Sequence, residues 1–169
     1  KDGKFNFSTV YTRDDVRDRT YNDPRVWTIQ KTFNPSVNQD MAAGREFPVF
    51  LKPEKKMTLD DVKSVLRSHY EGTSHDPYTN GLNGKEPWRP VSVFRTYEAH
   101  VMQVRPWLPK EIGETTYIGL GMADLTAFVP YYSGLKAYPA NYTMGTDKAD
   151  DQSIYWKYRK LQTLTMTDY

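Results

Sequence analysis

The stretch SVFRTYEAHVMQVRPWLP, residues 92–109, alternates apolar and polar side chains imperfectly and predicts one long β-strand. Alternate residues of a strand share a face, so one side of this strand is expected to carry Phe94, Thr96, Glu98, His100 and Met102. The remaining side chains need a bulge or a break to be grouped on the other side; they are Arg95, Tyr97, Val101, Gln103 and Arg105. Two interpretations stay open, namely charge pairing between strands on a solvent face and a strand that lines an active site.

Four short β-rich runs, separated by turn residues, predict an antiparallel meander at 91–94, 99–104, 115–120 and 127–132. A helix is predicted from Asp23-Pro24 to Asn34-Pro35. A second begins at Thr58, which has capping-box spacing to Asp61, and carries an apolar stripe that extends to Tyr70. A third is expected to begin near Asp150 and Asp151 and to place four side chains on one face: Ile154, Tyr155, Tyr158 and Leu161.

Helices before and after a run of antiparallel strands predict an α+β fold, with residues 1–169 as one domain or a fragment of a larger one and with helices packed on one sheet face. The second sheet face needs its own cover. Gly119-Leu120-Gly121 follows a strand and is interpreted as a tight β-hairpin rather than a dinucleotide fingerprint, whose third glycine is missing.

The composition excludes several classes of function. The net charge is only +2 and the basic residues form no stripe, so we expect no nucleic-acid partner. No run of 18 apolar residues occurs, so we expect no membrane-spanning segment and a cytoplasmic location. The 169 residues include no cysteine, which removes disulfides and thiolate sites within this stretch. An initiating methionine is also missing, so we expect the chain to be a piece of a longer protein.

The histidines match no metal or nucleophile motif. His69, His75 and Asp76 fit no zinc-ligand spacing, so we interpret both histidines as solvated loop residues and expect no metal. No nucleophile elbow surrounds any serine, which argues against a serine triad. Residues 78–90 are predicted to form a long loop that enters the first strand, and long ordered loops often carry function.

Four stretches occur in an unusual combination: YNDPRVWTIQKTFNPS (21–36), YEGTSHDPY (70–78), RPVSVFRTYEAHVMQVRP (89–106) and IGLGMADLTAFVPYYSGL (118–135). Together with SIYWKYRKLQ (153–162), their order resembles the bacterial dipeptidase A family of N-terminal-nucleophile cysteine hydrolases. The resemblance spans residues 21–162 and implies a four-layer αββα sandwich. It also implies hydrolysis of dipeptides by a cysteine at the start of the mature chain, without a metal or an organic cofactor.

This sequence departs from the family because it contains no cysteine, so the isolated chain is expected to be inactive. Related hydrolases use an arginine to orient the thiol and to stabilise developing negative charge; the resemblance makes Arg95 the first candidate and Arg89 the second. The bare sheet face is expected to drive self-association or to bind the missing part of the protein, with Tyr97, Phe128 and Tyr131 contributing. The alternative function is a non-enzymatic, aromatic-rich module that binds a protein or a ligand.

Overall fold

The computed structural model describes residues 5, 10–11, 15–41, 47–78 and 86–169. Its sheet is a three-stranded antiparallel meander in the order β1-β2-β3. The strands are β1 (Glu98–Val104), β2 (Glu114–Leu120) and β3 (Val129–Tyr132). The predicted antiparallel meander is therefore confirmed for three of its four runs, and the described part of the chain has the predicted α+β class.

The two sheet faces differ in their cover. Met102 pairs with Thr116, which pairs in turn with Tyr131, so these three side chains share one face. This open face leaves Met102 72% and Val104 67% exposed. The opposite face carries Tyr117 and receives helical cover, as described next.

Two helices precede the sheet where local residue preferences predict them. Helix α1 (Asp18–Tyr21) leads into α2 (Asp23–Phe33), which has a proline in its first turn and ends before Asn34. Helix α3 (Leu59–Arg67) begins with both bonds of the Thr58–Asp61 capping box. It packs against β1, and the Lys63 ammonium lies 4.6 Å from the centre of the Tyr117 ring. The predicted extension to Tyr70 is wrong, because α3 ends at Arg67 and Tyr70 has a left-handed φ of 69°.

The short helix α4 (Lys110–Gly113) connects β1 to β2, a 3-10 helix (Ala140–Tyr142) follows β3, and α5 (Ile154–Thr165) comes last. Helix α5 begins three residues later than Asp151, because the Asp150 carboxylate accepts from the amides of Gln152 and Ser153 before the first turn. Its predicted face is wrong at one position, since Leu161 is 54% exposed and Gln162 only 4%.

Three strand predictions need correction. Residues 91–94 form bends and a turn, and only Glu98–Val104 of the long strand predicted at 92–109 is extended. The tight hairpin at Gly119–Gly121 is also wrong, because Gly119 lies inside β2 and residues 121–128 separate β2 from β3. Gly121 ends the strand with a φ of 84°, a conformation that glycine adopts without steric cost.

The core lies between α3, the covered sheet face and the β2–β3 connection, where Val65, Met122 and Phe128 are buried. Phe128 was expected to contribute to the open face, and this expectation is wrong because its side chain is buried in the core. Tyr97 is 76% exposed but precedes β1, whereas Tyr131 does lie on the open face, against Tyr138 and Tyr142. Within the described ranges, none of the helices is both long and apolar enough to cross a membrane.

Candidate active site

The two candidate arginines lie in different surroundings. Arg95 occupies the turn before β1, is exposed, and places its guanidinium carbon 5.2 Å from the centre of the Phe94 ring. Arg89 is half-buried, with its guanidinium carbon 4.2 Å from the centre of the Tyr21 ring. The Arg89 amide donates to the carbonyl of Thr20 at 2.8 Å. Arg95 thus presents its charge to solvent, while Arg89 packs on α1.

The turn that carries Arg95 is fixed by the hydroxyl of Tyr78. This hydroxyl donates to the carbonyl of Ser92 at 2.8 Å and accepts from the amide of Phe94 at 3.0 Å. Tyr78 is 2% exposed and Ser92 is fully buried. A second anchor is the Ser92 hydroxyl, which accepts from the amide of Asp124 at 3.0 Å. The chain before Arg95 is therefore bonded to two segments distant in sequence.

Helix α5 fixes the same turn from another side. The Gln162 amide group donates to the carbonyl of Phe94 at 2.8 Å, and the Arg159 guanidinium donates to the same carbonyl at 3.0 Å. After the turn, the carbonyl of Tyr97 accepts from the amide of Gly121 at 2.7 Å. Main-chain groups on both sides of Arg95 thus have partners, while its own side chain is exposed. We call residues 92–97 the arginine turn.

A buried polar cluster lies behind the arginine turn, in contact with Tyr78. His69 is 6% and Asp76 4% exposed, and Nδ1 of His69 lies 3.0 Å from a carboxylate oxygen of Asp76. The Tyr169 hydroxyl lies 2.9 Å from Nε2 of His69 and donates to the Asp124 carboxylate. Burial and the Asp124 carboxylate raise the pKa of Tyr169, so this hydroxyl stays protonated at neutral pH.

The interpretation of both histidines as solvated loop residues is wrong for His69, because the fold packs its ring against Tyr78 and Tyr169. His75 is only half-buried, but its ring stacks on Trp88 at 3.6 Å between ring centres. Among the described residues, no three His, Asp or Glu side chains are grouped so that they could hold a metal ion.

Burial raises the pKa of Tyr78 to about 12, and Asp76 and Asp124 act in the same direction. The hydrogen bond from the Phe94 amide and, to a smaller extent, the charge of Arg95 act in the opposite direction. The hydroxyl of Tyr78 therefore keeps its proton throughout the neutral range and remains a donor to Ser92.

The other polar residues of 92–109 have separate partners. Nδ1 of His100 lies 2.8 Å from Glu98 on the open face, so this polar contact runs along β1 rather than across strands. Gln103 points to the opposite face, where it accepts from the Tyr117 hydroxyl. Arg105 donates to the Thr115 hydroxyl and to the connection before β2. Arg95 differs from these residues because it lies in the arginine turn and its side chain is exposed to solvent.

The supporting residues Tyr78, Ser92 and Gln162 were not predicted to belong to a site. Tyr78 and Ser92 lie in the stretches that carry the family resemblance, but sequence position does not show which main-chain groups a hydroxyl will reach. Gln162 did leave a detectable pattern, because Ile154, Tyr158 and Gln162 follow one another at the i, i+4 spacing of a single helix face. A polar residue on that otherwise apolar face indicates a buried hydrogen-bonding role.

Comparison with known proteins places these features in a family. A probable dipeptidase of Salmonella dublin is 50% identical over 146 residues, which cover 86% of this chain and 33% of that protein. A probable dipeptidase A of Streptococcus pyogenes serotype M3 is 34% identical over 159 residues, which cover 90% of this chain and 33% of that protein. A probable dipeptidase of Latilactobacillus sakei is 29% identical, and the matched region covers 98% of this chain and 35% of that protein.

This chain therefore spans about a third of the length of these curated relatives. The model of peptidase family C69 matches residues 1–169. That match includes α2, the buried polar cluster, the arginine turn, the sheet and α5. The resemblance seen in the sequence is confirmed, and the chain belongs to peptidase family C69.

Proposed function

We propose that this chain is one part of a longer dipeptidase that cleaves dipeptides by attack of an N-terminal cysteine. Family membership and the dipeptidase names of the relatives support the reaction class. They also favour an enzyme over an aromatic-rich binding module. The cysteine mechanism rests on the family resemblance, and the 169 residues contain no cysteine that could serve. The isolated chain is therefore inactive in this proposal.

The proposed chemistry needs a thiol and an amine that the chain itself does not contain. The α-amine of the first residue, with an ordinary pKa of about 7.7–8.0, takes the thiol proton. The thiolate sulfur then bonds to the peptide carbonyl carbon, and the amine of the second amino acid leaves with a proton. Water cleaves the resulting thioester and releases the first amino acid, which restores the thiol.

The observation that carries the proposal is the fixed arginine turn with an exposed guanidinium. Negative charge develops on the carbonyl oxygen during attack, and a cation that is already in place stabilises it without reorganisation. Arg95 is the first candidate for that cation because the main chain beside it is held by hydrogen bonds and its guanidinium is exposed. Arg89 is the second candidate, but its guanidinium already lies over the Tyr21 ring.

The same proposal gives the open sheet face a partner. In a four-layer sandwich a second sheet packs on this face and excludes water from Met102, Val104 and Tyr131. The exposed fractions of Met102 and Val104, 72% and 67%, are those of side chains that lack this cover. The helices on the opposite face then form an outer layer.

The test expresses the full-length gene product and the 169-residue chain separately and measures hydrolysis of several dipeptides. We expect turnover from the full-length protein alone. Arg95→Lys keeps the charge but loses the planar donor fork, so kcat should fall at least tenfold. Arg89→Lys is made in parallel; loss of activity there, with Arg95→Lys unaffected, would move the site to Arg89. Turnover by the purified chain that survives removal of trace peptidases would refute the proposal.

A further inference from the structure

Among the described residues, two buried tyrosines have hydroxyls that bind main-chain groups next to the two candidate arginines. Tyr70, 7% exposed, donates to the carbonyl of Arg89 at 2.9 Å. Tyr78, 2% exposed, bonds to Ser92 and Phe94, the third and first residues before Arg95. Both keep their rings in the interior, so their hydroxyl groups can be removed with little change in packing.

We propose that Tyr78 is a positioning residue that holds Arg95 in its functional orientation, an inference that rests on the proposed dipeptidase function. Tyr78 itself is buried and does not contact substrate. Its hydroxyl joins the carbonyl of Ser92 to the amide of Phe94, so a single oxygen sets the separation of two main-chain groups in the arginine turn.

The bridge acts on Arg95 through the peptide that joins it to Phe94. The amide of Phe94 is bonded to Tyr78, and the carbonyl of Phe94 is bonded to Gln162 and Arg159. Opposite ends of the residue before Arg95 are therefore both held. If the Tyr78 oxygen is removed, the amide end is released while the carbonyl end stays bonded, so the turn can rotate about the remaining contact.

The long arginine side chain amplifies such a rotation at the guanidinium. A misplacement of about 1 Å at a reacting centre can reduce a rate about 100-fold. The amide of Phe94 and the carbonyl of Ser92 also lose their partner, and buried main-chain groups then move to find another or open to water. Loss of the hydroxyl should therefore alter the position of Arg95 rather than its charge.

The Tyr78 ring rests on the buried polar cluster, with ring centres 5.6 Å from His69 and 5.3 Å from Tyr169. The amide of Tyr78 also donates to the Asp76 carboxylate at 2.9 Å. These contacts hold the ring from behind, and they persist when only the hydroxyl is removed. The cluster thus supports the tyrosine, and the tyrosine supports the arginine turn.

The test compares Tyr78→Phe with the matched control Tyr70→Phe in the full-length protein. Tyr78→Phe should lower kcat by about 10- to 100-fold with KM unchanged, because the lost orientation matters chiefly in the transition state. Tyr70→Phe likewise removes one hydroxyl from a buried ring and should leave kcat within about twofold, since this hydroxyl bonds only to the Arg89 segment. Combining Tyr78→Phe with Arg95→Lys should add little to the loss from Arg95→Lys alone, because both changes affect one group.

Hydrogen exchange supplies a readout that does not depend on activity. In Tyr78→Phe the amide of Phe94 should exchange about tenfold faster or more, while the amides of α3 keep their wild-type protection. Tyr70→Phe should leave the Phe94 amide unchanged. Unchanged exchange at Phe94 in Tyr78→Phe would overturn the inference, and so would equal losses of kcat in the two tyrosine variants.

The failures of the two proposals are distinguishable. A full-length protein that cleaves no dipeptide refutes the proposed function, and the exchange of Phe94 still decides whether Tyr78 fixes the turn. If Arg95→Lys abolishes turnover but Tyr78→Phe has wild-type kcat, the dipeptidase proposal stands and the positioning role of Tyr78 is wrong.

Discussion

Replacement of Gln162 by methionine tests how strongly α5 is bonded to the rest of the fold. Gln162 is 4% exposed, and its side-chain oxygen accepts from the amide of Met122 at 3.1 Å. Its side-chain nitrogen donates to the carbonyl of Phe94 at 2.8 Å. The same oxygen also accepts from the Arg159 guanidinium at 3.0 Å, and the nitrogen also donates to the Met166 sulfur at 3.6 Å. Methionine has a similar length and flexibility, so the substitution removes all of these hydrogen bonds without opening a large cavity.

The expected cost follows from the groups left without partners. A buried main-chain group that loses its hydrogen bond costs about 1–3 kcal/mol. The amide of Met122, a residue only 1% exposed, loses the bond to Gln162, whereas the carbonyl of Phe94 keeps the bond from Arg159. One full loss and one partial loss give about 2–3 kcal/mol, a large fraction of the roughly 5–15 kcal/mol that stabilises a typical domain.

Urea denaturation followed by far-UV circular dichroism measures this cost. With a slope of about 2 kcal/mol per molar urea, Gln162→Met should lower the midpoint by about 1–1.5 M. Lys157→Met introduces the same side chain at an exposed position of α5 and should shift the midpoint by less than about 0.3 M. If both variants unfold together with the wild type, the hydrogen bonds of Gln162 do not stabilise the fold and the reasoning fails.

Hydrogen bonds from the amide and hydroxyl of Thr58 lower the pKa of Asp61, so its contribution to stability is present above about pH 4 and is lost as the pH falls through the folded-state pKa. The difference in unfolding free energy between wild type and Asp61→Asn should therefore close in acid. A difference that does not depend on pH would contradict this. The isolated chain should self-associate through its open face, and Met102→Lys or Val104→Lys should shift light scattering towards the monomer. A wild-type chain that stays monomeric at every concentration would exclude that contact.

Elements with complete local signals could be predicted from sequence. Pro24 in a first turn and the Thr58–Asp61 capping box each satisfy a helix start within a few residues, so α2 and α3 begin where predicted. Strands β1 and β2 agree to within a residue with the short runs predicted at 99–104 and 115–120, although the longer strand predicted at 92–109 does not form. In each case the residues that specify the element are the residues that form it.

The predicted strand at 91–94 failed for a different reason. Its residues have strand preferences, but their main-chain groups bond to side chains and to a main-chain carbonyl outside the sheet rather than to a neighbouring strand. The amide of Phe94 is taken by Tyr78, its carbonyl by Gln162, and the amide of Ser92 by the carbonyl of Ser68. These partners lie between 16 and 68 residues away in sequence, so no local pattern could show them.

The assignment of Arg95 to the site stays a prediction, and its surroundings could not be predicted from sequence. Arg95 could be proposed because it lies within a stretch that resembles the family, but the sequence could not distinguish its exposed position from the packed position of Arg89. His69 was misassigned because a histidine next to a turn is normally solvated, while here Asp76 and Tyr169 converge on its ring from distant segments. Both outcomes depend on contacts that only the fold creates.

The concentration of buried polar groups around the arginine turn needs a physical reason. Burying an amide, a hydroxyl or a carboxylate costs free energy unless each is well paired, and a turn that only connected two elements could leave these groups to water. Instead, Tyr78, Gln162 and the Ser92 hydroxyl fix the main chain of this one segment. The result is a main chain with few alternative conformations beneath a single exposed guanidinium. Such rigidity adds little to a surface turn, but it is what a cation must have if it is to stabilise a transition state without moving.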